Sequence, residues 1–530
     1  MKAGEHLFAG GQPVKRGKNQ RGIEGKAMKK AWKISGTAAL GITALLLAGQ
    51  AHAGAMGGKA KNIILMISDG QGFNTVRATQ YYTGSKAVYE GADFVKVAMQ
   101  TNSANNPEGY QPARMAADFT YSTSGATDSA SAATAMYSGM KNHDGAINWS
   151  TTATAMLSFF EQQARAGRSI GAVSSVQFSH ATPAAVYGHN SSRNNYAALA
   201  WEGIYGANPL DGSVADSGDD PLAGSNDRYD AMNYQGKLKV LMGAGHGDYD
   251  NDGVLNPDMP DRYVGGSTAW TDITDDAAPS GWTLVEEKAA FAAIAAGASN
   301  PDKVLGVARV NATLQQSRTD AEGDFDPVNA TVPTLETMTR AALNVLDNAP
   351  GGFAVMIEGG AVDWANHANQ LDRMIEEQMD FNASVQAVVA YLDAGTNGNN
   401  WKNTLLIVTA DHETGHLWGD GSGSFFDVNR NGVYDAGVDY AHVVDHGAGR
   451  LPGATFNSGD HTNALVPLYA RGAGAELFLG RLIGTDAGLG SLYGINDAGF
   501  DGAYIDNTSV YYVMDEAAVG RKGDQDGKKK

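Results

Sequence analysis

Short apolar runs recur along the chain, and polar segments with helical character separate them. The runs that we predict as buried strands cover residues 61–68, 168–176, 303–307, 352–357, 403–408 and 464–470. We predict one helix that starts at Ser129. We predict further helices over residues 153–166, 285–296, 333–346 (with Pro333 as first residue) and 371–392. This alternation predicts an α/β fold with a large, mainly parallel central sheet that has helices on both faces.

Acidic residues come directly after several of these predicted strands. Asp69 follows the first strand, Glu358 closes the strand over 352–357, and Asp411 and His412 follow the strand over 403–408. In open α/β sheets the carboxyl ends of the strands form the edge where ligands bind. We therefore expect these side chains to converge at one edge of the sheet.

A second set of candidate ligands follows the strand that Glu358 closes. Asp363 and His367 are four residues apart, a spacing that lets both side chains share one metal ion if the turn is helical. His461 lies in a polar, Gly-rich loop further along the chain. The chain has no cysteine, so any metal site must use His, Asp and Glu.

The segment 127–134 places Ser129 beside Asp128 at the start of an alanine-rich, helix-prone stretch. Backbone N–H groups and the helix dipole favour negative charge at that position, so a serine there can meet an anionic substrate. The same segment also suits a simple N-cap role for Asp128 or Ser129.

The N-terminal residues have the pattern of an export signal. Residues 29–33 include three lysines. Residues 37–48 are mostly apolar and form a run too short to span a membrane, and residues 51–53 read Ala-His-Ala. We expect residues 1–27 to be an upstream extension before Met28, residues 28–53 to be a signal peptide, and residues 54–530 to form one catalytic domain. Loop insertions are expected near 201–280 and 418–455, where Gly, Asp, Asn and Ser are frequent.

The charge of the chain narrows the partners that we expect. The formal net charge is −19, and loss of residues 1–53, with nine basic and two acidic side chains, leaves −26. Such a surface repels nucleic acid, and it also repels phosphate esters unless the site supplies local positive charge. We expect no nucleic-acid partner and no stable membrane anchor, and a periplasmic or secreted location.

Two Asp-rich segments resemble calcium loops. The first reads D-x-D-x-D-G from Asp248, but Met259 stands where an EF-hand loop carries Glu; the second reads D-x-N-x-N-G from Asp427. The candidate calcium ligands are Asp248, Asp250, Asp252, Asp258, Asp427, Asn429, Asn431 and Asp435. Both segments also fit plain acidic turns, and a secreted calcium-binding protein without catalysis is an alternative that leaves the strand-end acids unexplained.

Taken together, the motifs resemble those of the bacterial alkaline phosphatase family from about residue 60 to 515. The matching segments are 68–70, 127–130, 180–193, 358–367, 409–412, 460–462 and 504–508. The resemblance implies a phosphomonoesterase that acts on small phosphate monoesters through a phosphoserine on Ser129, with Arg193 gripping the phosphate. It also implies a homodimer.

The resemblance implies two zinc ions and one magnesium ion as cofactors. It assigns one zinc to Asp363, His367 and His461, the other zinc to Asp69, Asp411 and His412, and magnesium to Asp69, Thr182 and Glu358. His180 and Trp364 stand where some family members have Asp and Lys, so we expect a third site that is less selective for magnesium. We expect Asp128, His180, Trp364 and Arg193 to lie near the substrate.

Other histidines and related enzyme classes provide the alternatives. His246, His416 and His446 are expected to be structural or solvated. A phosphodiesterase of the same superfamily would use the same metals, but such enzymes often have a threonine nucleophile and lack an arginine placed like Arg193. A sulfatase would need a Cys or Ser that is processed to an aldehyde, and the chain has no cysteine.

Overall fold

The computed structural model describes residues 59–115, 117–206, 236–275, 281–319, 328–422, 435, 439–495 and 499–520. The predicted signal peptide over 28–53, the upstream extension over 1–27 and the candidate calcium ligands Asp427, Asn429 and Asn431 lie outside the described residues.

Eleven strands of the described chain form one large sheet, and two pairs of short strands lie beside it. The order across the large sheet is β14-β15-β2-β13-β8-β1-β7-β3-β4-β6-β5, and every pair from β8 to β5 is parallel. The short pairs are β9 with β12 and β10 with β11. The strands are β1 (Asn62–Ser68), β2 (Val95–Gln100), β3 (Ser169–Gln177), β4 (Leu238–Ala244), β5 (Thr283–Val285), β6 (Val304–Val307), β7 (Phe353–Gly359), β8 (Thr404–Thr409), β9 (Glu413–Thr414), β10 (Leu417–Trp418), β11 (Thr455–Phe456), β12 (His461–Thr462), β13 (Val466–Gly472), β14 (Leu482–Thr485) and β15 (Ala503–Asp506).

Helices cover the sheet, and none in the described ranges is long and apolar enough to cross a membrane. The helices are α1 (Phe73–Thr83), α2 (Pro112–Met115), α3 (Phe119–Thr123), α4 (Ser129–Ser138), α5 (Phe159–Arg165), α6 (Ala181–Ala184), α7 (Tyr196–Tyr205), α8 (Gly266–Thr274), α9 (Lys288–Ala295), α10 (Leu335–Leu346), α11 (Ala361–His367), α12 (Leu371–Asp393), α13 (Leu489–Tyr493) and α14 (Thr508–Val519).

The side chains of β1 alternate between two hydrophobic cores, one on each face of the sheet. Leu65 packs in a core with residues of α4, α5 and α14, whereas Met66 packs in a core with residues of α9, α10 and α12. Successive strand residues point to opposite faces, so a strand covered on both faces must be apolar at every position. The predicted mainly parallel sheet with helices on both faces is confirmed.

Three predicted helix starts are wrong. The helix predicted over 153–166 begins only at Phe159, because Ser158 caps it and Glu161 completes a capping box. Pro333 precedes its helix, since Thr334 is the N-cap and accepts a hydrogen bond from the Thr337 N–H. The helix predicted from residue 285 begins at Lys288, and residues 283–285 are an edge strand.

The stretch 201–280 is more than a loop insertion. It contains β4, a buried parallel strand between β3 and β6, and α8. The sequence analysis did not predict this seven-residue strand, because the residues around it are rich in Gly and Asp. Residues 207–235 and 276–280 of this stretch lie outside the described residues.

Residues 311–319, which we call the Gln316 loop, are held against α12 by hydrogen bonds to Glu376 and Glu377. The Gln316 N–H donates to Glu377 Oε1 at 2.8 Å, and Arg318 donates to both Glu376 oxygens at 2.7 and 3.1 Å. Bidentate arginine–carboxylate pairs fix geometry well. Burial, aided by Asp380 and Glu376, raises the pKa of Glu377 to about 8.

Glu377→Gln removes this titratable group but keeps an oxygen for the Gln316 N–H. Because the pKa of Glu377 is raised from 4.5 to about 8, the folded chain keeps a proton that the unfolded chain releases, and stability falls as pH rises through that interval. In scanning calorimetry at about pH 4.5, the variant and the unmodified protein should have the same melting temperature. At about pH 8, the variant should have the higher melting temperature. Equal melting temperatures at both pH values would contradict this account.

Candidate active site

Ser129 is the first residue of α4, and Asp128 is the cap of this helix. Asp128 has an extended backbone, and its Oδ1 accepts a hydrogen bond from the Ser131 N–H at 3.0 Å. The Ser129 hydroxyl lies 3.2 Å from Nε2 of His412. A buried hydroxyl therefore occupies the positive end of a helix, beside a histidine at a strand end.

Asp69, Asp411 and His412 form a first cluster at the carboxyl edge of the sheet. β1 and β8 are parallel neighbours, so the residues that follow both strands meet at one edge. His412 Nε2 lies 3.1 Å from Asp411 Oδ2 and 3.5 Å from Asp69 Oδ1. One ligand atom from each of the three side chains lies within 4.8 Å of the others.

Asp363, His367 and His461 form a second cluster nearer the surface. α11 is helical, so Asp363 and His367 lie one turn apart, and His367 Nε2 is 3.3 Å from Asp363 Oδ2. β12 pairs with β9, which places His461 opposite Thr414 and its Nε2 3.5 Å from Asp363 Oδ1. Asp363, His412 and His461 also have ligand atoms within 4.8 Å, so the two clusters are adjacent.

Backbone carbonyls orient the two histidines of the second cluster. Nδ1 of His367 lies 2.6 Å from the Gly459 carbonyl, and Nδ1 of His461 lies 2.7 Å from the Thr127 carbonyl. A carbonyl only accepts, so each Nδ1 carries the hydrogen, and in a neutral ring Nε2 keeps a lone pair. The two Nε2 atoms face each other at 3.0 Å, a contact that needs a proton or a cation between them.

A hydroxyl orients the third histidine. Thr414 donates its single hydrogen to Asp363 Oδ1 at 2.5 Å, so the same hydroxyl accepts from Nδ1 of His412 at 3.2 Å. Nε2 of His412 is then left to face the carboxylates and Ser129. Hydrogen bonds of this kind on the far nitrogen are typical of metal-ligating histidines.

Glu358 and Thr182 lie behind the first cluster. Glu358 is in β7 beside β3, where the Ser174 hydroxyl donates to its Oε2. Thr182 is buried in α6. Four buried oxygens of this site have no hydrogen-bond partner among the described residues: Asp69 Oδ1, Thr182 Oγ1, Glu358 Oε1 and Asp411 Oδ2. Orphaned buried oxygens of this kind call for an ion or an ordered water.

The electrostatics of these acids favour a bound cation. Burial and the neighbouring carboxylates raise the pKa of Asp69 well above its ordinary value. Burial also raises the pKa of Glu358 to about 8 and that of Asp411 to about 6. Such a group of acids ionises together only when positive charge compensates it. The mixed nitrogen and oxygen donors of the two clusters fit zinc, and the oxygen donors around Glu358 fit a harder cation.

Arg193 brings a fixed positive charge to the same site. Its Nη1 donates to Asp128 Oδ2 at 2.9 Å, and its backbone N–H donates to the Gly145 carbonyl at 2.6 Å. Burial opposes this charge, but the Asp128 carboxylate outweighs burial and raises the pKa of Arg193. Asp128 thus links the helix that carries Ser129 to the arginine.

One open cavity of about 930 Å³ contains most of these groups. Ser129, Arg193, Asp363, His367 and His461 line it, while Asp69, Asp411 and His412 lie beneath as buried residues. The sequence analysis missed four further polar residues that line the cavity, and no motif marks them: Thr123, Asp144, Gln316 and Ser317.

His180 and Trp364 also line the cavity and contact each other edge to face, with ring centroids 5.5 Å apart. His180 stacks on Tyr196 at 5.9 Å, and its buried Nδ1 has no hydrogen-bond partner in the described chain. Burial lowers the pKa of His180 to about 3, so its ring is neutral. The structure thus places this pair on the wall of the cavity that contains both clusters.

The first candidate calcium loop engages protein donors. Asp248 Oδ2 accepts from Trp270 Nε1 at 2.9 Å, Asp250 Oδ1 caps its own loop, and the Asp252 carboxylate binds Thr319. Asp258 is exposed. The N–H of Asp435, from the second loop, donates to Asp439 at 2.6 Å. Calcium binding at both loops stays a prediction.

The remaining histidines differ in their surroundings. His246 is buried, and its Nε2 lies 2.7 Å from Glu286 Oε1. His416 is buried with Phe119, Trp418 and Tyr440 around its ring. His446 is exposed.

Comparisons with known proteins agree with this fold. The alkaline phosphatase family model matches residues 60–429. Alkaline phosphatase 3 of Bacillus subtilis is 24% identical over 80% of this chain and 87% of its own length. The alkaline phosphatase of Escherichia fergusonii is 29% identical over 67% of this chain and 70% of its own length.

Solved structures have the same fold. The alkaline phosphatase of the Antarctic bacterium TAB5 matches with a TM-score of 0.53 and 22% identity, over 88% of this chain and 99% of its own. The Thermus thermophilus enzyme matches with a TM-score of 0.55 and 20% identity, over 87% of this chain and 91% of its own. With the family model matching most of the described residues, the chain belongs to the alkaline phosphatase family of metal-dependent hydrolases.

Proposed function

We propose that the protein is an exported phosphomonoesterase that hydrolyses small phosphate monoesters at alkaline pH through a phosphoserine on Ser129. The observation that carries this proposal is the position of the Ser129 hydroxyl. It lies at a helix N-terminus, 3.2 Å from His412, in a cavity that Arg193 shares. A nucleophile, an anion-binding cation and two candidate metal clusters therefore surround one space.

The donor sets support two zinc ions and one magnesium ion. One zinc would be held by Asp363, His367 and His461, the other by Asp69, Asp411 and His412, and magnesium by Asp69, Thr182 and Glu358. When bound, such ions supply Lewis acidity that lowers the pKa of a hydroxyl or water and stabilises a departing alkoxide. His180 is neutral and adds no negative charge beside the third site. Other cations should therefore compete with magnesium for that site.

The chain's own residues then carry the phosphoryl transfer. The Ser129 oxygen gives its proton to solvent and attacks phosphorus, the bond to the ester oxygen breaks, and that oxygen takes a proton from solvent and leaves as the alcohol. Water then attacks the phosphoserine, the serine oxygen departs from phosphorus, and Ser129 regains a proton. The N-terminus of α4 favours the added negative charge at each stage.

Arg193 supports a monoester in preference to a diester. A monoester has three non-bridging phosphate oxygens and two negative charges at alkaline pH, whereas a diester has one charge. With one Nη1 hydrogen held by Asp128, the other guanidinium hydrogens remain for two phosphate oxygens. A diester has only two non-bridging oxygens, so if Arg193 bound both, none would remain for the metal clusters; a phosphodiesterase of the same superfamily is the alternative.

Hydrolysis assays on a chromogenic phosphate monoester and the matching diester test this proposal. We expect the monoester to be cleaved at alkaline pH, activity to disappear after chelation, and zinc with magnesium to restore it. Faster cleavage of the diester would favour the phosphodiesterase. No cleavage of either ester by metal-loaded protein would overturn the proposal.

Ser129→Ala tests the nucleophile separately. Loss of the hydroxyl should prevent labelled phosphate from becoming trapped on acid-quenched protein and lower kcat by a factor on the order of 10³ or more. Ser138→Ala, at the other end of α4, is the matched control and should keep the label. Labelled phosphate on Ser129→Ala protein would show that another residue is the nucleophile.

The proposal also includes export to the periplasm or beyond, and a homodimer. The basic and apolar segments over 28–53 support export, and the family resemblance supports the dimer. N-terminal sequencing of protein from the periplasm or medium should find a mature start near Gly54. Residues before Ala53 in that material would contradict the assigned signal peptide.

A further inference from the structure

The Gln316 loop presents two polar side chains to the cavity from a rigid support. Gln316 and Ser317 are half-buried and line the cavity, while Arg318 next to them is buried and paired with Glu376. The loop is further tied by the Leu314 N–H, which donates to the Ser175 carbonyl at 3.0 Å. Side chains on so firmly held a loop suit recognition, because little conformational freedom is lost on binding.

The Gln316 loop lies against the helix that carries the second cluster. Gln316 Nε2 donates to Gln370 Oε1 at 3.0 Å, and the Gln370 N–H donates to the Ala365 carbonyl at 2.9 Å. Ala365 belongs to α11, which also carries Asp363 and His367. Gln316 and Ser317 therefore flank the side of the cavity where this second cluster lies.

The internal hydrogen bonds of the pair determine what it can offer a ligand. Ser317 donates its one hydroxyl hydrogen to Gln316 Oε1 at 2.8 Å, so its oxygen is left as an acceptor. One hydrogen of the Gln316 amide goes to Gln370, and the second remains a donor. The pair thus presents an acceptor beside a donor, which is the pattern that alcohol hydroxyls match.

We propose that Gln316 and Ser317 bind hydroxyl groups of the leaving alcohol, so that the protein prefers sugar phosphates over monoesters of apolar alcohols. This inference rests on the proposed function: Ser129 attacks from beside the first cluster, so an in-line displacement directs the leaving oxygen toward the second cluster. Trp364 also lines the cavity, so an aromatic side chain is available there for the C–H surface of a sugar ring. An apolar ring in this position would bury the Gln316 amide and the Ser317 hydroxyl without hydrogen-bond partners. The free-energy cost of those lost hydrogen bonds disfavours esters of apolar alcohols.

Two esters of similar ring size test the inference: glucose 6-phosphate and cyclohexylmethyl phosphate. Both have a primary alkyl leaving group, and only the first has ring hydroxyls. We expect the unmodified protein to show a higher kcat/KM for glucose 6-phosphate. Ser317→Ala and Gln316→Ala should each lower that value roughly three- to tenfold, mainly through KM, and leave cyclohexylmethyl phosphate unchanged.

Two further variants test whether the alanine substitutions act through lost contacts with the ligand or through a change in the fold. Ser317→Thr keeps the hydroxyl and should retain the preference. Ser299 is exposed and does not line the cavity, so Ser299→Ala should change the kcat/KM of neither substrate. Equal losses on both esters, or unchanged preference in both alanine variants, would overturn the inference while leaving the phosphomonoesterase intact. Failure of the unmodified protein to cleave either ester would overturn the proposed function and this inference together.

Discussion

Buried negative charge is the constraint on which the site depends. Asp69, Glu358, Asp363 and Asp411 are all almost fully inaccessible to solvent, and each lies near at least one of the others. Several carboxylates without water or a counter-charge are costly, and the raised pKa values of Asp69 and Glu358 express that cost. Bound divalent cations would relieve this cost, and this is the physical reason for our proposal that the site binds metal.

The positions of the carboxylates and histidines follow mainly from the sheet and from fixed hydrogen bonds. Parallel neighbours β8, β1 and β7 end at the same level, which gathers the residues after them at one edge. Carbonyls of Gly459 and Thr127 and the hydroxyl of Thr414 then fix the three histidine rings. Because each ring is held from its far nitrogen, the near nitrogens converge before any ligand is present.

Features of the molecule that depend on local sequence pattern could be predicted from the sequence. Asp69 and Asp411 were predicted at the sheet edge because an acid after a fully apolar strand can lie nowhere else, and α12 was predicted because its period is long and regular. β4 was missed because it is a short strand, interrupted by Lys239, inside a Gly- and Asp-rich stretch that resembles an insertion.

Long-range contacts account for the rest. His461 reaches the second cluster through the pairing of β12 with β9, two-residue strands that no periodicity reveals. Gln316 and Ser317 reach the cavity because Glu377 and Glu376, about 60 residues away in the chain, hold the loop. Polar loop residues carry no local signal of such a role.

The most direct test of the central claim is anomalous diffraction at the zinc edge from crystals of the metal-loaded protein. The account predicts two zinc peaks, one among Asp69, Asp411 and His412 and one among Asp363, His367 and His461, with the Ser129 oxygen next to the first. Absence of zinc from both clusters in crystals grown with excess zinc would contradict it.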